Sequence, residues 1–216
     1  MGVGRSKLPA KSSDRRVRAF LEKAAALTPG DPSKLARLLF AMDANASREA
    51  TWDRACHLQA EMFTEASRLG GLRVQLCYYS GFMEFMTTPW VTDARQLAER
   101  MAGVRCAGGM TQIARVLQHA FRESGEKKVN ALVFVGDCVE EDIDHLGHLA
   151  GKLALTGTRV FAFQEGDDVL AQRAFREIAR LTGGAHCRFD ASSGQQLRDL
   201  LKAAAIFAAG GTRALE

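Results

Sequence analysis

The chain has 216 residues, enough for one domain with an extension, and its 47% hydrophobic and 25% charged residues are typical of a globular protein. This composition excludes a mostly disordered chain, a collagen-like fibre and a small domain held together by disulfides. The formal net charge is +4, but residues 1–30 carry seven cations and two anions, which leaves −1 for the other 186 residues. The basic balance therefore belongs to the N-terminal segment alone.

That N-terminal segment differs in character from the remainder of the chain. Residues 1–12 are polar, which predicts disorder, and residues 14–27 have the apolar spacing of a short helix. Two prolines and a glycine at 28–32 then break the chain. We therefore expect residues 1–30 to be a basic extension of one folded domain. A segment with a net charge of +5, in which aromatic residues do not alternate with the basic ones along a binding groove, is typical of a solvated tail. Nucleic-acid binding is therefore not expected.

The sequence also carries signals about its compartment. No segment approaches the ~18 consecutive apolar residues of a membrane span, and the N-terminus lacks the apolar core of a secretion signal. The five cysteines contain no CxxC pair and lie in mostly apolar segments, so we predict reduced, buried thiols. These features predict a cytoplasmic protein with no membrane partner.

Apolar runs of strand length alternate with segments of helical periodicity after residue 33. In chain order, we predict a strand at 35–42, a helix at 48–69, strands at 72–79 and 82–87, helices at 93–101 and 112–123, a strand at 129–135, a helix opened by acidic residues 140–142, a strand at 159–163, a helix at 169–181, a strand at 185–189 and a helix at 195–208. The short link at 80–81 favours an antiparallel hairpin. The alternation predicts a three-layer α/β fold with a mostly parallel sheet and the third strand as its antiparallel edge.

Five polar residues lie where a ligand site of such a sheet is expected, at the carboxyl ends of the strands. Asp43, Asn45 and Ser47 follow the first strand, Thr111 precedes the helix at 112–123, and Asp137 follows the strand at 129–135. Their oxygens suit a hard divalent cation such as Mg²⁺, and alternate residues of an extended run can point to one side. Each residue also has an ordinary structural alternative: an Asx turn for Asp43, and a helix cap for Ser47 or Thr111.

With this element order, the motif resembles the metal-ion-dependent adhesion site of von Willebrand factor A (VWA) domains, which have DxSxS, a later Thr and an Asp after the fourth strand. Asp43, Ser47, Thr111 and Asp137 match, and Asn45 departs from the pattern because the family has a hydroxyl residue there. The resemblance covers about residues 33–208. It implies a Rossmann-like, six-stranded sheet of order 3-2-1-4-5-6 with helices on both faces. We place the VWA domain at 31–210, between the basic extension and a short tail at 211–216.

The resemblance also implies a function. In this family a bound Mg²⁺, Mn²⁺ or Ca²⁺ keeps one position open, and an Asp or Glu carboxylate of a partner protein fills it. The expected function is therefore metal-dependent protein recognition without catalysis, in a bacterial intracellular protein with an ATPase or a chaperone-like partner. Because Asn45 is longer than Ser, the alternative is a VWA scaffold with a weakened metal site that binds partners through its surface alone.

Enzymatic alternatives have less support in the sequence. A phosphatase or phosphotransfer enzyme could use Asp43 at the end of the first strand, but such phosphatases carry a second Asp two residues later, where this chain has Asn45. Cys138 follows Asp137 directly, yet no histidine is placed in the sequence to activate it, which favours a packing role.

Overall fold

The computed structural model describes residues 35–48 and 72–189, which form one sheet flanked by helices. Its elements are β1 (Ala36–Asp43), a 3-10 turn (Ala46–Arg48), β2 (Leu72–Ser80), β3 (Glu84–Thr87), α1 (Ala94–Ala102), α2 (Ile113–Glu126), β4 (Ala131–Gly136), α3 (Ile143–Ala154), β5 (Arg159–Glu165), α4 (Val169–Leu181) and β6 (Ala185–Phe189). The helices predicted at 14–27, 48–69 and 195–208 lie outside the described residues. No helix within the described ranges is both long and apolar enough to cross a bilayer.

The strand order is β3-β2-β1-β4-β5-β6, which confirms the predicted topology. Strand β3 pairs antiparallel with β2, and every other pairing is parallel. Every residue of β1 and of β4 is buried, as expected for central strands covered on both faces. These two neighbours therefore end side by side at the carboxyl edge of the sheet.

One face of the sheet is covered by α2, α3 and α4, with α2 against α3 and α3 against α4. Each of these helices buries an apolar stripe at helical spacing, such as Ala171, Ala174, Phe175 and Ile178 on α4. The stripes pack on alternate strand residues, including Leu39 and Leu132. This packing holds the strands in place, and with them the carboxyl edge of the sheet at which the site residues lie.

The structure corrects two local predictions and excludes one structural alternative. Strand β3 begins at Glu84 rather than at residue 82, because a turn occupies residues 81–83. Of the acidic stretch at 140–142, only Asp142 caps α3, by accepting from the His145 N–H at 2.7 Å. Thr111 does not cap α2, whose N-cap residue is Gln112 without a side-chain cap bond.

A buried ion pair lies at the opposite end of β1 from the site. The Arg37 guanidinium donates to Oε2 of Glu123 at 2.5 Å and to the carbonyl oxygen of Lys127 at 2.6 Å. Trp90 donates to the same Glu123 oxygen at 2.7 Å, and its ring centroid lies 3.8 Å from the Arg37 guanidinium carbon. The cluster ties the start of β1 to the C-terminal end of α2.

Candidate metal centre

The parallel pairing of β1 and β4 brings two carboxylates together at the edge of the sheet. Asp43 is the last residue of β1, and Asp137 directly follows β4. Carboxylate oxygens of these two residues and the Cys138 sulfur all lie within 4.8 Å of one another. Of the five predicted ligands, the structure thus joins the two acidic ones and adds a thiol that the sequence assigned to packing.

Asp43 is fully buried and held by two hydrogen bonds. Its Oδ1 accepts from the backbone N–H of Asn45 at 2.9 Å, which is the Asx turn considered as an alternative. Its Oδ2 accepts from the Tyr79 hydroxyl at 3.0 Å. The turn and the Tyr79 hydroxyl therefore fix the orientation of the Asp43 carboxylate.

Tyr79 occupies this position because of the sheet register. It pairs with Asp43 across the parallel β1 and β2 strands, and its side chain is buried. Burial first, and the neighbouring Asp43 carboxylate second, raise the pKa of the Tyr79 phenol well above its usual range. The hydroxyl therefore remains a hydrogen-bond donor that fixes the orientation of the Asp43 carboxylate.

Two buried oxygens at this edge have no hydrogen-bond partner among the described residues: Oδ1 of Asn45 and Oδ1 of Asp137. Asn45 is only 5% exposed. An unsatisfied buried polar atom costs about 1–3 kcal/mol. A cation near Asp43 and Asp137 would offset that cost, and amide and carboxylate oxygens are ligands that a divalent cation accepts. The donor set therefore fits a metal ion.

The other two predicted ligands are placed differently. The loop before Thr111 is hydrogen-bonded to the loop after β1, because Ala107 accepts from the Ala46 N–H and donates to the Ala44 carbonyl, both at 3.1 Å. Thr111 is buried, and its Oγ1 accepts from the Glu140 N–H at 3.0 Å. Ser47 is exposed on the 3-10 turn and is the least enclosed of the five residues.

Two acidic residues after β4 connect the loops of the site. Glu140 accepts from the Thr111 N–H at 2.8 Å, so that these two residues form a reciprocal pair. Glu141 accepts from the Ile113 and Ala114 N–H groups at 2.6 and 2.8 Å. A carboxylate at a helix N-terminus satisfies free N–H groups and complements the helix dipole. The two glutamates therefore hold the loop of Thr111 against the loop of Asp137.

Cys138 is a protonated thiol in this arrangement. Burial first, then the Asp137 and Asp43 carboxylates, raise its pKa to about 12. A thiol is a nucleophile only as the thiolate, so Cys138 is not activated for attack. Beyond the adjacency of Cys138 to Asp137, no pattern in the sequence indicated the position of this thiol. Tyr79, by contrast, could have been found by aligning the ends of the first two strands.

An exposed apolar surface lies at the hairpin between β2 and β3. A Cβ atom on Gly109 would lie 1.8 Å from the Gly81 carbonyl oxygen, so the two backbones are in direct contact. This contact places residue 110, next to Thr111, beside the turn at 81–83. We define the hairpin patch as Phe82, Met83, Met86 and Met110, which are 75%, 79%, 52% and 53% exposed. Exposed apolar clusters of this kind mark interaction surfaces.

The described architecture is the fold of von Willebrand factor A domains. Among solved structures, it is similar to a von Willebrand factor type A protein from Catenulispora acidiphila, with a TM-score of 0.67 and 14% identity over 80% of this chain and 43% of that one. An aerotolerance-related membrane protein from Bacteroides fragilis gives a TM-score of 0.61 and 16% identity, over 79% of this chain and 98% of that one.

The VWA domain of SpRpn10 is a third similar structure, with a TM-score of 0.59 and 14% identity over 77% of this chain and 94% of that one. At these identities the likeness concerns the fold. No protein-family model matches the sequence, and no curated protein matches it.

Proposed function

We propose that this VWA domain recognises a partner protein through a divalent cation, bound by Asp43, Asn45 and Asp137 together with the Ser47 and Thr111 hydroxyls, and that it does so without catalysis. The observation that carries the proposal is the pair of buried oxygens on Asn45 and Asp137 that lack a partner among the described residues, together with the convergence of the Asp43 and Asp137 carboxylates. When bound, the cation would supply a positive centre for a partner's Asp or Glu carboxylate. The sequence indicates Mg²⁺, with Mn²⁺ or Ca²⁺ as substitutes.

The residues around the cation support recognition rather than turnover. Tyr79 and the Asn45 N–H both orient Asp43, and Glu140 fixes Thr111, so the charged groups are held in place by neighbours. Among the described residues, Cys138 is the one nucleophilic side chain in the cluster of Asp43, Asp137 and Cys138. Its raised pKa keeps the thiol protonated. A phosphotransfer role for Asp43 gains no support from these contacts.

The hairpin patch supports a protein as the partner. Its four apolar side chains lie on the loops next to Thr111 and on β3, at the end of the sheet where the carboxylates meet. Partly exposed methionine and phenylalanine side chains are enriched at protein interfaces. We therefore propose a partner segment in which an acidic residue is flanked by apolar side chains. An ATPase or a chaperone-like protein in the cytoplasm remains the class that the sequence resemblance implies.

Metal binding is tested by thermal unfolding of the full chain with Mg²⁺ or Mn²⁺ and with EDTA. A cation at 100 times its Kd should stabilise the folded state by about 2.7 kcal/mol, seen as a higher Tm. Asp137→Asn keeps the side-chain shape but removes a charged ligand and should abolish the shift. The matched control is Asp142→Asn, five residues later. Asp142 is an exposed helix N-cap, a position that tolerates Asn, and it does not belong to the cluster of Asp43, Asp137 and Cys138.

Partner capture by the immobilised chain then separates the two candidate functions. Capture that needs the cation, and is lost both in EDTA and in Asp137→Asn, supports metal-dependent recognition. Capture that persists in EDTA and in Asp137→Asn, but is lost in Phe82→Ser/Met83→Ser, supports the scaffold with a weakened metal site. If no cation raises the Tm of the wild-type chain at millimolar concentration, the metal-dependent function is wrong.

A further inference from the structure

Cys138 differs from the other described cysteines in its surroundings. Its sulfur belongs to the same group of ligand atoms as the Asp43 and Asp137 carboxylates, all within 4.8 Å of one another. With Zn–S near 2.3 Å, Zn–O near 2.1 Å and tetrahedral angles, the ligand atoms of one ion lie about 3.6 Å apart. Because the three ligand atoms lie at most 4.8 Å apart, they would have to approach one another by up to about 1.2 Å for one cation to contact all three residues.

Asn45 gives a second and independent indication that a cation belongs here. Only 5% of the Asn45 surface is exposed, and its Oδ1 has no hydrogen-bond partner among the described residues. Its backbone N–H donates to the Asp43 carboxylate, so the backbone of Asn45 is anchored to one member of the three-residue group. Asp137 Oδ1 is unpartnered as well.

The donor types decide which cation fits. A set of oxygens alone favours hard ions such as Mg²⁺, whereas a cysteine sulfur favours thiophilic ions such as Zn²⁺ and Co²⁺. We infer that Cys138 is a metal ligand of this site and that the site therefore binds Zn²⁺ more tightly than Mg²⁺. This inference rests on the proposed metal-dependent function and replaces its expectation of Mg²⁺. Asp43, Asp137, Cys138 and the Asn45 amide oxygen then supply four ligands, and a partner carboxylate takes the fifth position to which zinc sites can expand. Binding of the ion releases the Cys138 proton to solvent, because a coordinating thiol is deprotonated.

The test uses Co²⁺ and Zn²⁺ alone as probes of the full chain, in the presence of a non-chelating reductant. Co²⁺ bonded to a cysteine sulfur gives a ligand-to-metal charge-transfer absorption that oxygen ligands do not give. The wild-type chain should show this band, and Cys138→Ser should lose it. The Kd for Zn²⁺, measured by calorimetry, should rise at least about tenfold in Cys138→Ser, because even neighbours of metal ligands contribute that much. The Kd for Mg²⁺ should barely change.

Cys106→Ser is the matched control, because Cys106 is also a partly exposed cysteine outside any disulfide but does not belong to the cluster of Asp43, Asp137 and Cys138. It should keep the band and the Zn²⁺ affinity, and far-ultraviolet circular dichroism should show that both serine variants fold. Persistence of the band in Cys138→Ser, or Zn²⁺ affinity equal to that of the wild type, would overturn the thiol ligand while leaving cation binding intact. If the wild-type chain binds neither Zn²⁺ nor Mg²⁺, the inference and the proposed function both fail.

Discussion

The buried ion pair between Arg37 and Glu123 offers a test of what stabilises this fold. The two side chains are 6% and 18% exposed, and Glu123 Oε2 accepts from both Arg37 and Trp90. Truncation by Glu123→Ala removes both bonds and leaves the Arg37 charge buried. Removal of one partner of a buried pair costs about 3–5 kcal/mol. Two backbone carbonyls still accept from Arg37, so we expect the lower end of that range.

The assay is urea unfolding of the wild-type chain and of Glu123→Ala, followed by circular dichroism. The matched control is Glu177→Ala, which breaks an exposed Glu–Arg pair on α4 with Arg180, joined by two hydrogen bonds of 2.8 and 2.6 Å. Water and salt screen such a pair, so its loss should change the free energy of unfolding much less. The double variant Arg37→Met/Glu123→Leu should recover stability, since apolar replacement of a buried pair is often neutral.

The reasoning would be refuted if Glu123→Ala cost no more free energy of unfolding than Glu177→Ala. A second readout connects this test to function. Arg37 and Asp43 lie at opposite ends of β1, so Glu123→Ala should lower the Tm but keep the Tm increase caused by the cation. Loss of that increase would show that the two ends of the strand are not independent.

Three further predictions address the loops and the pH dependence. Glu141→Ala should destabilise the fold by about 1–3 kcal/mol in urea unfolding and weaken cation binding, because it frees the first two N–H groups of α2. Gly109→Ala should lower the Tm sharply, since its Cβ would overlap Gly81, whereas Gly108→Ala has open space and should not. Burial lowers the pKa of His119, so the unfolded chain binds its proton first on acidification. The free energy of unfolding should therefore fall as the pH drops through about 6.5, by at most about 1.4 kcal/mol per pH unit, and a slope unchanged in His119→Gln would contradict this.

The fold was predictable from the sequence because its signals are local. Apolar runs of strand length, helical spacing and a two-residue link define the elements, and the helix at 169–181 and the strand at 185–189 agree with the structure to the residue. The hairpin start was misplaced because 82 and 83 are apolar but exposed, and apolarity alone does not distinguish a strand from a turn. Asp142 caps the following helix as predicted, but Glu140 and Glu141 were misassigned because their carboxylates accept from N–H groups of a distant loop and helix.

The sequence by itself determined a mostly parallel sheet with the third strand at its edge, and its resemblance to VWA domains supplied the strand order. Together these predicted the convergence of Asp43 and Asp137, since the ends of parallel neighbouring strands meet at one edge. Only the tertiary structure decided what surrounds these carboxylates. The register of β2 places the Tyr79 hydroxyl within hydrogen-bond distance of the Asp43 carboxylate. The path of the loop after β4 places the Cys138 sulfur within 4.8 Å of the Asp43 and Asp137 carboxylates. Such distances depend on how side chains from separate strands and loops pack, which no local pattern encodes. The sequence thus predicted which carboxylates converge, and the packing determined their surroundings.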